Sequence, residues 1–331
     1  MDAPFLEKLL KKAVARPQRI AFPETDAEQI LQAAEKLVDL KAAIPVLIGK
    51  EEIIREYADS IGVSVEGMEF IDHEDLPLVE QVVREYVSCC DLLSEKGIRR
   101  KSKHRENFAA ALVKTGRCDC FVSGFQSTTA ETIFAAQSII GMRESIGAVS
   151  SLCVVEAKGW NGPEGELICV TDCVATPDPD ADALADIAIS SCDIMSKLMD
   201  WEPRAAMLSY STKGSGSTDN VLKVVKAVEI ANRKRPDLLI DGEFQVDSAL
   251  IPEIAAKKVK TGSKVAGRAN ILVFPDLNAG NIGVKLINVF GGYPDYGALL
   301  AGLQRPCVDL SRSAGLDRIV GACVMLAVTA Q

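Results

Sequence analysis

The chain of 331 residues exceeds one ordinary hydrophobic core, so two domains are expected. A net charge of −9 and an aromatic content of 5% argue against a broad polyanion-binding surface and against a stacking platform for single-stranded nucleic acid. No run approaches the roughly 18 apolar residues that span a bilayer, and no secretory pattern opens the sequence, so a cytoplasmic chain without a membrane or nucleic-acid partner is expected.

The opening residues MDAPFLEKLLKKAV pattern as a short amphipathic helix. RIAFPET follows as a strand, then a helix from about Asp26, with Thr25 to Glu28 reading as a capping box. Ile30, Leu31, Ala34, Leu37 and Val38 share one face of that helix. IPVLIG is the next strand. Residues 95–108 are densely basic in an acidic chain and read either as a solvated loop and helix start or as the rim of an anion site. Beyond them FVSG, SSLCVVEA, ICVTDCV, AAMLSYS, LLIDGEF and NILVFPDL are short buried-strand runs, most of them followed by helical periodicity. ADALADIAISSCDIMSKL and NVLKVVKAVEIANRKR are the best helices. The alternation predicts an α/β fold with a largely parallel sheet. The ten cysteines lack zinc-ribbon spacing and read as buried thiols in a reducing compartment, and His73 and His104 read as structural or exposed.

Four stretches offer chemistry. SYSTKGSGST at 209–218 places small residues and Lys213 between a strand and a helix, where backbone N–H groups can meet an anion, although its Lys-Gly order is not that of a P-loop. FPDLNAGNIGVK at 274–285 has the same form, with Asp276, Asn278, Asn281 and Lys285 beyond a strand's carboxyl end. VSGFQSTTAET at 122–132 offers the Ser127, Thr128 and Thr129 hydroxyls before a helix, and Thr129 could equally be a plain N-cap. Near the C-terminus DLSRSAGLDR groups Ser311, Arg312 and Asp317, with ordinary helix capping as the bland reading.

Taken together, these stretches resemble the phosphate acetyl/butyryltransferase family, and its acetyltransferase branch in particular. The likeness is densest in DCVATPDPDADALADIAI, PRAAMLSYSTKGSGS, RPDLLIDGEFQVDSALIPEIAAKK, ANILVFPDLNAGNIGVKL and DLSR, and looser in RIAFPE, VSGFQSTTAET and SII. It implies two α/β/α domains of isocitrate/isopropylmalate dehydrogenase-like architecture with an interdomain cleft. The implied division is 1–147 plus 298–331 for the first domain and 148–297 for an inserted second. It implies transfer of acetyl or another short acyl group, acyl-CoA plus phosphate giving acyl phosphate plus CoA. CoA is then a substrate, no metal or other cofactor is bound, and the chain is a homodimer.

On that implication Arg312 holds the phosphate bidentately, Ser311 donates to developing charge or to the thiolate, and Asp317 takes the proton from a thiol of ordinary pKa about 8.5. The chemistry is direct thiolate attack in a ternary complex, so no cysteine need be a nucleophile. The family's acid, however, stands seven positions after the serine, where this chain has Arg318; Asp317 is one residue early, a rotation of about 100° on a helix. Phe134-Ala135 replaces a family Arg-Pro pair, and Leu92 to Glu95 replaces a basic stretch before Lys96-Gly97. Arg99 and Arg100 are therefore expected to supply the lost charge. These departures also admit a catalytically impaired homologue that keeps the fold as a CoA-binding or regulatory partner. A dinucleotide-dependent enzyme is the third reading, and no Gly-x-Gly-x-x-Gly follows the first strand.

Overall fold

A computed structural model describes residues 4–260 and 262–331. The chain forms two compact units, Met1–Gly141 with Gly297–Gln331, and Met142–Tyr296.

The first unit begins with α1 (Pro4–Ala15), β1 (Gln18–Phe22), α2 (Glu28–Asp39), β2 (Ala43–Ile48), α3 (Glu51–Ser60) and β3 (Glu69–Ile71). It continues through α4 (Leu76–Cys89), α5 (Glu95–Lys101), α6 (Arg105–Lys114), β4 (Cys120–Ser123) and α7 (Thr129–Ala135), which runs on as a π-helical turn over Ala136–Ile140. The second unit contains β5 (Ser150–Glu156), β6 (Leu167–Thr171), α8 (Ala181–Met199), β7 (Arg204–Leu208), α9 (Asp219–Lys234) and β8 (Leu239–Phe244). Helices α10 (Val246–Leu250) and α11 (Pro252–Lys258), β9 (Ile271–Val273) and α12 (Leu277–Gly291) complete it. Strands β10 (Asp295–Ala301) and β11 (Cys307–Asp309) and helix α13 (Leu316–Thr329) finish the chain.

In the first unit the strand order is β3-β2-β1-β4-β11-β10, parallel except for the β10–β11 pair. In the second it is β5-β6-β9-β7-β8, parallel except for β5–β6. Strands flanked by helices are buried on both faces, which is why β4 and β9 are continuous apolar or small-residue runs with every residue buried. The expected α/β fold with a largely parallel sheet is present, and every strand run named from the sequence forms a strand. Strands β3 and β10 are not among those runs: β3 is three residues long, and DYGALLA lies in a Gly-rich stretch that carries no clear strand period.

Helix α13 is the core of the first unit: Ile319 to Val328 are all buried, and the helix packs on α1 and α2. One local expectation fails here. Thr25 does not cap α2, which starts at Glu28 behind Ala27; its hydroxyl donates instead to the Ile48 carbonyl at 3.2 Å and ties the ends of β1 and β2 together. Eight cysteines are buried, and burial pushes the Cys118 and Cys323 thiols up to about 12, so they pack as neutral apolar groups.

Candidate active site

Strands β4 and β11 are parallel neighbours, with Ser123 opposite Asp309, so the turns leaving their carboxyl ends emerge side by side. Gly124 makes this approach possible: its φ is +94°, and a Cβ there would lie 2.2 Å from Asp309 Oδ1 and 2.8 Å from the Leu310 nitrogen. The turn after β4 then wraps a buried carboxylate. Glu24, just past β1, accepts from the backbone N–H groups of Phe125 at 3.0 Å and of Gln126 and Ser127 at 2.8 Å. An acid of the protein thus occupies the donors that the sequence offered to an external anion.

The three hydroxyls of this turn have different duties. Ser127 Oγ donates to Glu106 at 3.1 Å. Thr128, and not Thr129, is the cap of α7, in a capping box with Glu131. Thr129 Oγ1 donates to Asp309 Oδ2 at 2.8 Å. Asp309 Oδ1 is buried without a hydrogen-bond partner. Burial pushes the Asp309 carboxyl up to about 6, against the pull of the Thr129 and Thr132 hydroxyls, and Glu24 adds a smaller like-charge rise.

After β11 the backbone of Leu310 donates to Ser123 O at 2.7 Å, and Ser311, Arg312 and Ser313 are exposed. Ser311 Oγ and Ser313 Oγ are 3.0 Å apart, and Gly315 caps α13. Glu131 is held low first by the Thr128 backbone N–H and hydroxyl and then, more weakly, by the charge of Arg312, which puts that guanidinium near the first turn of α7. Asp317 goes elsewhere. Its carboxylate binds Lys36 of α2 at 2.9 Å, and this hydrogen bond holds it below the usual carboxylate range. The turn around Ser313 has not brought the acid back to the serine; one residue of helix phase aims it at α2.

The basic run divides in the same way. Arg99 forks onto Glu80 at 2.5 and 2.8 Å and also binds Glu95 at 2.6 Å, so its charge is spent on α4 and α5. Arg100 is exposed. Lys101 Nζ lies 3.9 Å from the ring centroid of exposed Phe134. A cavity of about 250 Å³ lined by His104, Glu106, Asn107, Ser127, Glu131 and Phe134 lies beside it.

In the second unit the loop after β7 is also built around a carboxylate. Buried Glu243 accepts from Ser211 Oγ at 2.8 Å and from the Gly214 nitrogen at 2.7 Å, while Gly216 N and Thr212 N are taken by Ser211 and Ser215 hydroxyls. Lys213, in the left-handed region at φ +47°, turns inward to Asp241 at 2.6 Å and to the Gly242 carbonyl. Asp172 repeats the device, accepting from Ser151 and from the nitrogens of Val174, Ala175 and Thr176. Asp276 caps α12 through the Ala279 nitrogen at 2.9 Å, and Asn281 donates to the Cys173 carbonyl at 3.1 Å. Asn278 and Lys285 are exposed on α12.

A family model described as "Phosphate acetyl/butaryl transferase" matches residues 4–327. The chain belongs to the phosphate acetyl/butyryl transferase family. Among these transferases it is 36% identical over 334 residues to a phosphate acetyltransferase of Treponema pallidum (strain Nichols), covering 98% of both chains. A solved phosphotransacetylase from Streptococcus pyogenes is 32% identical with a TM-score of 0.90, covering 98% of both chains. A 4-hydroxythreonine-4-phosphate dehydrogenase from Klebsiella pneumoniae, 12% identical with a TM-score of 0.52 over 95% of this chain and 99% of that one, shares the dehydrogenase-like architecture alone. The buried acids Glu24, Asp172, Glu243 and Asp309 went unread in the sequence of this transferase-family member. Each is an acid within or at the end of an apolar strand run, an anomaly that marks a buried, partnered group.

Proposed function

We propose that this chain is a phosphate acyltransferase, converting acyl-CoA and phosphate into acyl phosphate and CoA, with acetyl or another short acyl group transferred. The carrying observation is the pair of adjacent turns beyond β4 and β11, which set Thr129 and the exposed Ser311-Arg312 in one neighbourhood of a chain of this family. Arg312 stays charged at any working pH and matches a phosphate with two parallel N–H donors. Ser311 has an exposed hydroxyl at the turn, paired with Ser313 Oγ, and donates to charge as it develops on the reacting oxygen or on the thiolate. CoA enters as a substrate and no bound cofactor is needed. Ser127 and Thr129 in unit 1 and Lys213, Asp276 and Asn281 in unit 2 support substrate binding through the turns they hold, and Asn278 and Lys285 do so as exposed side chains of α12. Of the basic run, Arg100 is the member of the proposed pair with an exposed, uncommitted position, and Arg99 serves the α4–α5 packing.

Asp317 acts as the thiol base only when its carboxylate leaves Lys36, since an acid held low in an ion pair is a weak proton acceptor. Reading the chain as an impaired homologue is not favoured, because its likeness to phosphate acetyltransferases runs through the full length.

Among the described residues no helix is long and apolar enough to cross a membrane, in keeping with a cytoplasmic enzyme. A homodimer is supported by α12, where Ile282, Leu286, Val289 and Phe290 form one exposed apolar stripe at helical spacing. The test of the activity is thioester formation from CoA and acyl phosphates of increasing chain length, followed by loss of free thiol. Turnover is expected with the short acyl groups; a folded protein that turns over none of them overturns the proposal.

A further inference from the structure

Asp309 hydrogen-bonds through one carboxylate oxygen; the Thr132 hydroxyl also pulls on the carboxyl but donates to the Thr128 carbonyl at 3.4 Å. Oδ2 accepts from Thr129, while Oδ1 has no partner although the residue is only 4% exposed. Across the strand pair the Ser123 hydroxyl, also buried, has no partner either. Such groups are rare in a native core and ask for a reason. Asp309 is placed to have one. It is the last residue of β11, immediately before the Ser311 turn, and its partner Thr129 stands on the first turn of α7 beside Glu131, within the field of Arg312.

A hydroxyl carries one proton. With Asp309 ionised, that proton is committed to Oδ2, and Thr129 can offer a ligand only lone pairs. With Asp309 protonated, the acid can donate to Thr129 Oγ1, and the threonine proton is released toward a ligand oxygen. A phosphate dianion needs the second arrangement. The route for the proton is Thr129 itself: a proton arriving on Oγ1 displaces the hydroxyl proton onto Oδ2, so none is created or lost and no covalent bond to the ligand forms.

We propose that Asp309 is a positioning residue that couples uptake of one proton by the Asp309–Thr129 pair to binding of phosphate, or of the phosphoryl end of acyl phosphate, against Thr129. This rests on the acyltransferase reading for the identity of the ligand. Burial already lifts the Asp309 carboxyl to about 6, and a bound dianion lifts it further. The charged groups on the surrounding elements are Glu24 beyond β1, Glu131 on α7, Arg312 on the same turn, and Asp317 and Arg318 on α13; Glu24 acts on Asp309 directly, Glu131 is tied to Thr128, and Asp317 is tied to Lys36. The neighbouring Cys307 thiol is pushed up by burial and stays neutral.

The experiment is phosphate binding by calorimetry at pH 6 to 9 in buffers of different ionisation enthalpy, on wild type, Asp309→Asn, Thr129→Val and Thr129→Ser. The ionisation of phosphate itself is common to all four and cancels in the differences. Wild type and Thr129→Ser are expected to take up close to one proton more per phosphate near pH 7.5 than Asp309→Asn or Thr129→Val. In turnover, the KM for phosphate of wild type should rise about tenfold per pH unit relative to Asp309→Asn above the pair's pKa, with the KM for CoA within twofold. Equal proton uptake by wild type and Thr129→Val overturns the proposal, as does a uniform loss of kcat and both KM values without a change of pH profile. Should Asp309→Asn fail to fold, the Thr129→Val and Thr129→Ser comparison decides alone. Extra proton uptake without turnover keeps the coupling and removes the transferase reading; turnover without Asp309-dependent uptake does the reverse.

Discussion

Asp317 on α13 and Lys36 on α2 are joined by a 2.9 Å hydrogen-bonded ion pair, so the only acid in the DLSRSAGLDR segment beyond Ser311 is turned toward a neighbouring helix. If Asp317 is the thiol base, Lys36 controls its basicity. Lys36→Ala should let the carboxyl return upward toward the ordinary range, moving the acid limb of the kcat profile to higher pH. Asp317→Asn should lower kcat by about 100-fold and erase that limb, in line with the loss of a general base. A kcat for Asp317→Asn within threefold of wild type assigns the proton to another group.

The buried Asp309 has a consequence for stability that is independent of catalysis. Its folded pKa, about 6, lies above the unfolded value near 3.9, so the native state binds more protons than the unfolded chain between these values. Stability therefore falls as pH rises through this window and stays low above it. Asp309→Asn removes the loss, and at pH 8 it should stabilise the protein by up to about 3 kcal/mol relative to its effect at pH 4. Urea midpoints of wild type and variant at both pH values measure this difference directly; a difference that is the same at pH 4 and pH 8 shows that burial does not raise the Asp309 carboxyl above its unfolded value.

Arg99 and Arg100 are adjacent in sequence and opposite in circumstance. Arg99 is forked onto Glu80 and Glu95, and Arg100 is exposed beside Lys101. Arg100→Glu and Lys101→Glu should each raise the KM for CoA about tenfold at low salt, with the effect fading as salt screens the charges. Arg99→Glu should lower the melting temperature and leave the KM for CoA within threefold. A large KM effect at Arg99 alone reverses this assignment.

Glu24 holds the turn after β4 by accepting three backbone N–H groups. Glu24→Gln replaces one acceptor oxygen by a donor that faces those N–H groups, which should cost about 2 kcal/mol of stability, the penalty for leaving a buried donor unmatched. The same change should raise the KM for phosphate more than that for CoA, because Thr129 rides on this turn. Equal changes in both would separate the turn from the phosphate end.

Much of this architecture is legible in the sequence because buried parallel strands are written as short apolar runs between periodic helices. The strand ends also mark where ligands meet an open α/β sheet, which is how the turns at 122–132, 209–218 and 274–285 come to notice. Their chemistry is less legible. The sequence shows the donors of each turn but not the carboxylate that fills them, because Glu24 lies far along the chain from Ser127 and Glu243 from Ser211. The direction of Asp317 is likewise a matter of one residue of helix phase, and the partner that fixes it, Lys36, belongs to another helix.

The stripe on α12 gives the last prediction. Val289 and Phe290 are 77% and 83% exposed and continue the line of Ile282 and Leu286. Four large apolar side chains on one helix face are more than a monomer ordinarily leaves in water. In a twofold dimer the same stripe meets itself, since the patch is self-complementary under that symmetry. Val289→Asp combined with Phe290→Glu would then bring two pairs of like charges together at the contact, and desolvating unpaired charge is costly. Light scattering should show wild type at twice the mass of the chain and the double variant as a folded monomer, with an unchanged far-UV spectrum. A double variant that stays dimeric places the contact on another face, and a wild type that is monomeric at micromolar concentration removes the dimer altogether.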